Sequence, residues 1–344
     1  MSLMDTSDLD RSALAFLSET LGEGLKIEKV AGDASFRSYY RVLNASGYSS
    51  IFMNAPPEKE DSEPYINVTR FLLKHGIRVP EIIEARLSDG HLLISDFGDT
   101  TLSQALEQGV DPEPLYKQAV DALIDMQATP EDGSCIAHQR PFDRTLQRTE
   151  LALFTDWFLA GILDCPLTDD EYARFDTAFH RLLDGTLSQP FAFVHRDYHC
   201  RNLMVDRQGL GIIDFQDAVM GPVTYDLASL LRDCYVAWDA GFRHTIMNYW
   251  YAQAVRRLGY DRPWTVFERD FDMMAIQRNL KAIGIFGRLS LRDGKHGYLQ
   301  DIPRTMGYVR ETLVSRPELA DLAELIDECV PDLPNLDQRL REAA

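Results

Sequence analysis

The stretch FVHRDYHCRNLMV (193–205), followed closely by IIDFQDA (212–218), constrains this chain more than any other feature. Two short apolar runs enclose His195, Asp197, Asn202 and Asp214. An aspartate leaving one strand, followed by a loop and an asparagine, aims two oxygen-bearing side chains at one point. A second strand, LGIID, then delivers Asp214. Carboxylate and amide oxygens suit a hard cation such as Mg²⁺, which keeps several waters and bridges phosphate oxygens. A separate carboxylate, Asp197, can take the proton of an attacking hydroxyl. This set of parts fits phosphoryl transfer, where catalysis is mainly positioning and charge neutralisation. His195 reads as a brace of the loop through backbone hydrogen bonds rather than as a base. Taken singly, each residue could cap a turn or end a strand; the ordered set is what points to chemistry.

The chain of 344 residues is long enough for one large domain or two modest ones, and 45% apolar residues is ordinary globular composition. Its formal charge of −19 argues against a nucleic-acid partner, since such partners are held by clustered Lys and Arg. No apolar run approaches a membrane span, and MSLMDTSDLD lacks the basic start and apolar stretch of a signal peptide. The five cysteines are scattered without a CxxC pair, which fits reduced thiols. The expectation is a cytoplasmic protein with no membrane partner; the sequence is silent on oligomeric state.

A helix over 7–21 precedes strands in LKIEKVAG, SYYRVLNA and YSSIFMNA, with GDASFR between the first two. A strand–tight loop–strand unit containing Gly32, Asp33 and Ser35 can present backbone N–H groups to an anion. PYINVTRFLLKHG reads as a helix stopped by Gly76, and HLLISDFGDTTL as a further strand. Beyond Asp99, helical spacing dominates, as in Leu115, Ala119, Ala122, Leu123 and Met126, and in Leu227, Leu230, Leu231, Cys234 and Trp238. The exceptions are FAFVH, NLMVD and LGIID around the opening motif. The fold class is therefore α+β, a small β-rich lobe over 1–97 and a larger, mainly helical lobe over 98–344.

HRDYHCRN, IIDFQDA and GPVTYDLASLLRD resemble the aminoglycoside phosphotransferase and choline kinase superfamily, relatives of protein kinases. The resemblance spans roughly 25–310 and implies a two-lobed protein-kinase-like fold using ATP and Mg²⁺. It places the catalytic base at Asp197 and the metal ligands at Asn202 and Asp214. It also implies that Gly32, Asp33, Ala34, Ser35, Phe36 and Arg37 cover the nucleotide phosphates. DFGD at 96–99 precedes the catalytic loop, so it cannot be the metal-binding pair. It falls instead where the inter-lobe hinge belongs, with backbone at Ser95, Asp96 and Phe97 facing adenine. The position of the usual phosphate-gripping lysine is occupied by Met53, for which Arg37 and Arg41 are the candidate substitutes.

Within this superfamily, GDASFR, APPE and NLKAIGIFGRLSLRDGKHGYLQDIPR resemble the anomeric N-acetylmuramate/N-acetylglucosamine kinases of cell-wall recycling. That likeness implies phosphorylation of an amino sugar at its anomeric hydroxyl. Arg278, Lys281, Arg288 and Arg292 are concentrated in one stretch of an acidic protein, the first three approximating one helical face. Arg forks suit the lactyl carboxylate of N-acetylmuramate. His199 and Arg201 are further candidates for contact with phosphate or acceptor. Asp226 reads as a helix cap and loop brace. Two alternatives stand beside this reading: an aminoglycoside- or choline-type small-molecule kinase, and a non-catalytic nucleotide-binding pseudokinase.

Overall fold

The computed structural model describes residues 9–30, 36–330 and 340. The loop residues Gly32, Asp33, Ala34 and Ser35 lie outside that set. Helix α1 (Arg11–Leu21) opens on Asp10, whose carboxylate accepts the Ala13 N–H at 2.8 Å. Strands β1 (Lys26–Lys29), β2 (Ser38–Leu43), β3 (Ser49–Asn54), β4 (Ile82–Arg86) and β5 (His91–Ser95) form an antiparallel sheet in the order β1-β2-β3-β5-β4. Helix α2 (Glu63–Lys74) connects β3 to β4 and stops before Gly76, whose φ of 77° suits the residue after a helix.

Alternation along β2, β3 and β5 divides the sheet into two faces. Tyr40, Val42, Phe52 and Leu93 pack with Phe16 and Leu17 of α1. Met53, Leu92 and Ile94 point the other way, into a core shared with α2 and with the second lobe. That second lobe contains α3 (Leu102–Glu107), α4 (Pro112–Gln127), α5 (Arg144–Leu153), a π-helical stretch over Phe154–Ile162 and α6 (Asp169–Leu187). After a β insert come α7 (Tyr225–Leu231), α8 (Ala240–Arg257), α9 (Trp264–Asp293), α10 (Ile302–Val314) and α11 (Ala320–Cys329). The expected α+β, two-lobed architecture is borne out.

The β insert consists of two antiparallel pairs, β6 (Phe191–Val194) with β9 (Val219–Pro222), and β7 (Leu203–Asp206) with β8 (Gly209–Ile212). Two strands, β4 and β9, are absent from the sequence reading. One carries Glu84 and Arg86, the other is VMGP, and neither shows clean alternation. A further difference concerns α7. Apolar spacing runs on through Cys234 and Trp238, but the helix ends at Leu231. The chain leaves the helical path because the Asp233 carboxylate accepts N–H bonds from Cys200 at 3.0 Å and Tyr235 at 2.9 Å.

Helix α9 is the spine of the large lobe. A Cβ built on Gly284 would lie 2.3 Å from the backbone carbon of Leu153 and 2.5 Å from the Phe154 nitrogen. Only glycine permits this approach at the point where α5 gives way to the π-helical stretch. Among the described residues, no helix is long and apolar enough to cross a membrane.

Candidate active site

The candidate catalytic loop occupies the gap between β6 and β7. Pairing of Leu203 with Ile212 in the β7–β8 hairpin forces Asn202 opposite Ile213, and the Ile213 N–H donates to the Asn202 carbonyl at 3.1 Å. The twelve-residue interval from Asn202 to Asp214 is thus the length of a hairpin. Asn202 Nδ2 donates to the Asp214 carboxylate at 3.3 Å and to the Asp197 carbonyl at 3.0 Å. One asparagine therefore ties the candidate base to the candidate metal ligand. Asp214 Oδ1 also accepts from Gln216 Nε2 at 2.9 Å.

Asp214 and Arg196 have φ of 66° and 78°, conformations that non-glycine residues adopt at a cost of order 1 kcal/mol or more. The fold holds both in place. Asp226 of α7 accepts the backbone N–H groups of His195 at 2.7 Å and Arg196 at 3.1 Å. Burial pushes the Asp226 carboxyl up to about 6, against the pull of His195 and of these two backbone donors. The expected brace is present; the expected cap is not, because Asp226 lies inside α7 and no side chain caps that helix. His195 is a brace as read: its Nε2 meets the Ile213 carbonyl at 2.9 Å, and its Nδ1 accepts the Asp197 N–H at 3.3 Å.

Asp197 lines a pocket of about 90 Å³ with His199, Cys234, Tyr235, Arg278, Lys281, Ala282, Ile285 and Phe286. Burial opposes ionisation of Asp197, but Lys281, His199, Arg278 and Arg196 more than offset it, and its pKa falls below the usual carboxylate range. Burial pulls the His199 imidazole down. Arg278 is 5% exposed; its Nη1 lies 3.9 Å from Cys234 Sγ, and its buried Nε has no hydrogen-bond partner among the described residues. Lys281 is more tightly held. Its Nζ donates to the Tyr225 hydroxyl at 3.0 Å and lies 3.3 Å from Glu150 Oε1. Glu150 also takes Arg196 at 2.6 Å and Gln277 at 3.0 Å.

The other expected residues separate. Arg201 stacks its guanidinium over Tyr235 at 3.5 Å and does not line the pocket. Arg288 lies farther along α9, also outside the lining, with its pKa lowered by burial and by Arg292. Arg292 pairs with Asp293 at 2.7 Å. Met53 is wholly buried beneath the sheet. At the hinge, the Ser95 N–H is already taken by the Glu81 carbonyl at 2.9 Å. The Asp96 carboxylate holds Arg41, Ser49 and the Gly98 N–H. Phe97 lies under Arg78 at 4.5 Å and against Gly211 of β8, where a Cβ would come within 2.5 Å of its ring. This Asp-Phe pair is thus built into the junction between the lobes.

Sequence reading missed Glu150, Tyr225, Asp233 and Tyr235. Glu150 lies in RTELALF, an unremarkable helical stretch, and reveals itself through Arg196, Gln277 and Lys281, all far away in the chain.

The donor set fits Mg²⁺. Asn202 and Asp214 offer amide and carboxylate oxygens; among the described residues no group of three or more His, Cys, Asp or Glu is arranged to hold a metal ion. An incomplete oxygen set leaves coordination positions for phosphate and water, as Mg²⁺ prefers.

Comparison with known proteins identifies the family. Residues 26–262 match the phosphotransferase enzyme family. The chain is 40% identical over 314 residues to the N-acetylmuramate/N-acetylglucosamine kinase of Pseudomonas aeruginosa, covering 90% of this chain and 91% of that protein. It is 37% identical over 306 residues to the enzyme of that name from Neisseria meningitidis serogroup B, covering 88% and 90%. Among solved structures, an ADP-bound aminoglycoside phosphotransferase superposes with a TM-score of 0.61 at 15% identity, covering 88% of this chain and 99% of that one. An ethanolamine kinase from Plasmodium vivax superposes with a TM-score of 0.61 at 11% identity, covering 87% and 84%. These two show the shared fold. The family match over most of its length and these relatives show that the chain belongs to the phosphotransferase enzyme family.

Proposed function

We propose that this chain is a Mg-ATP-dependent kinase that phosphorylates the anomeric hydroxyl of N-acetylmuramate or N-acetylglucosamine, in the cytoplasm and in the service of peptidoglycan recycling. One observation carries the reading: Asp197 lines a pocket with two buried cations of α9, while its carbonyl is tied through Asn202 to Asp214. A candidate base thus stands between an acceptor pocket and a phosphate-side pair of oxygen ligands.

In the proposed mechanism the nucleotide lies between the lobes, with its adenine against the hinge at Asp96 and Phe97. Asn202 and Asp214 would hold Mg²⁺, which supplies charge neutralisation on the phosphate oxygens. The sugar enters the Asp197 pocket with its anomeric hydroxyl donating a hydrogen bond to the carboxylate. That hydroxyl oxygen bonds to the γ-phosphorus as the bond from phosphorus to the bridging oxygen of ADP breaks. A carboxylate held strongly ionised is a weak proton acceptor at first. Asp197 therefore orients the hydroxyl and takes its proton late, when the new O–P bond has made that proton acidic. Arg278 faces the lactyl carboxylate, and Lys281 directs its remaining N–H toward the reacting oxygens.

The cationic lining argues against an aminoglycoside, since a polycation calls for a ring of acids. The test is ADP release over a panel of N-acetylmuramate, N-acetylglucosamine, glucose, kanamycin and choline, with ³¹P spectra of the product. Preference for the two N-acetyl sugars with phosphate on the anomeric carbon supports the proposal. Preference for kanamycin or choline, or no turnover with any acceptor, overturns it.

A further inference from the structure

The backbone N–H and carbonyl of Asp197 are both engaged, yet among the described residues no hydrogen bond or ion pair reaches its carboxylate. Lys281 lines the same pocket, and a buried ammonium beside a buried carboxylate would ordinarily close onto it. We propose that Glu150 of α5 is a positioning residue for the reaction: it holds the Lys281 ammonium off Asp197, so that the carboxylate stays open to the acceptor hydroxyl. The proposal rests on the reading of Asp197 as the base and adds the residue that keeps this base accessible.

The geometry around Glu150 supports this. Its Oε1 takes both Arg196 Nη2 at 2.6 Å and Lys281 Nζ at 3.3 Å, while its Oε2 accepts Gln277 Nε2 at 3.0 Å. Gln277 and Lys281 lie one turn apart on α9, so they share a face and a single carboxylate reaches both. The Tyr225 hydroxyl accepts another Lys281 N–H at 3.0 Å and fixes the direction of the ammonium. Burial opposes the Lys281 charge; Glu150, then Tyr225, then Asp197 favour it. Asp197 is thus the acid to which this ammonium turns when Glu150 is lost.

The two cations on Glu150 differ in their freedom. The Arg196 side chain is 22% exposed and can turn to water, while Asp226 keeps hold of the Arg196 backbone N–H. The Lys281 side chain is 8% exposed and anchored on α9. Without Glu150 it would pair with Asp197 and occupy the oxygens that the acceptor hydroxyl needs. Breaking such a pair in a buried pocket leaves two uncompensated charges, which makes it a strong competitor.

Turnover of N-acetylglucosamine by the full chain, read by ADP release in Mg²⁺ buffer, tests this. Glu150→Gln lowers kcat by about 10- to 100-fold, the cost of breaking one charge-assisted contact before each turnover. Glu150→Asp, which keeps the charge, retains more turnover than Glu150→Gln. The paired variant Glu150→Gln/Lys281→Met decides the matter. With the ammonium gone nothing occupies Asp197, so its kcat lies within about 3-fold of that of Lys281→Met alone. This comparison holds even where Glu150→Gln by itself does not fold. Additive losses, an unchanged Glu150→Gln, a Glu150→Asp no better than Glu150→Gln, or a paired variant that does not fold would overturn the assignment. Wild-type turnover in Asp197→Asn, or no turnover by the wild-type chain, overturns the base and this inference together, so the two failures are distinguishable.

Discussion

Replacing Arg278 by leucine probes the acceptor end of the site. Arg278 is 5% exposed, and among the described residues no carboxylate pairs with it; its hydrogen bond to Cys234 Sγ is a long one, 3.9 Å. Burying a guanidinium without an ion-pair partner costs several kcal/mol. Burial is outweighed by Cys234, Tyr225, Asp233 and Asp197, which together raise the Arg278 pKa. A lactyl carboxylate docked against the fork would gain charge-assisted hydrogen bonds, worth about 1.5–3 kcal/mol each. Arg278→Leu should therefore reduce kcat/KM for N-acetylmuramate relative to N-acetylglucosamine by about 10- to 150-fold, the factor corresponding to one such bond. The ratio of the two sugars, measured by coupled ADP release at saturating Mg-ATP, cancels any damage to nucleotide binding or to the loop. Tm is read alongside as the check on folding. An unchanged sugar ratio, or a ratio preserved while both sugars fail and Tm drops, would show that Arg278 is a structural residue and refute the argument.

Asp197→Asn should lower kcat by about 10²- to 10⁴-fold while leaving ADP affinity near wild type, as read by steady-state assay and calorimetry. Asp214→Asn removes the charge yet tolerates the φ of 66°, so the Mg²⁺ dependence of ADP binding should weaken without a drop in Tm. Lys281→Met should move the acid limb of the kcat–pH profile upward. The sign follows from the site. Burial favours protonated Asp197, and Lys281 is the foremost of the cations that keep it ionised; without it, the base is protonated at a higher pH. Asp226, at about 6, is common to both proteins, so the difference between the two profiles isolates Lys281.

The candidate catalytic cluster was legible in the sequence because its geometry is local. Asp197, Asn202 and Asp214 are separated by one loop and one hairpin, so spacing alone brings them together. The two lobes were legible from the change from alternating to helical periodicity. Short elements without a clean period, β4 and β9, were not. The end of α7 was hidden because Asp233 serves the catalytic loop 33 residues away rather than its own helix. Glu150 shows the same limit: its partners Arg196, Gln277 and Lys281 come from a distant loop and from α9. Of Arg37 and Arg41, equal candidates in the sequence, the structure commits Arg41 to the hinge through two acids that give no hint of their target in the linear chain.

Gly284 gives the thirty-residue α9 a mechanical role. Arg278 and Lys281 lie six and three residues before it, about 9 and 4.5 Å along the axis. A methyl group at position 284 would wedge the helix off its neighbour and carry both cations with it as one rigid body. Acceptor preference could thus be retuned from outside the cleft, by a change that touches neither sugar nor nucleotide.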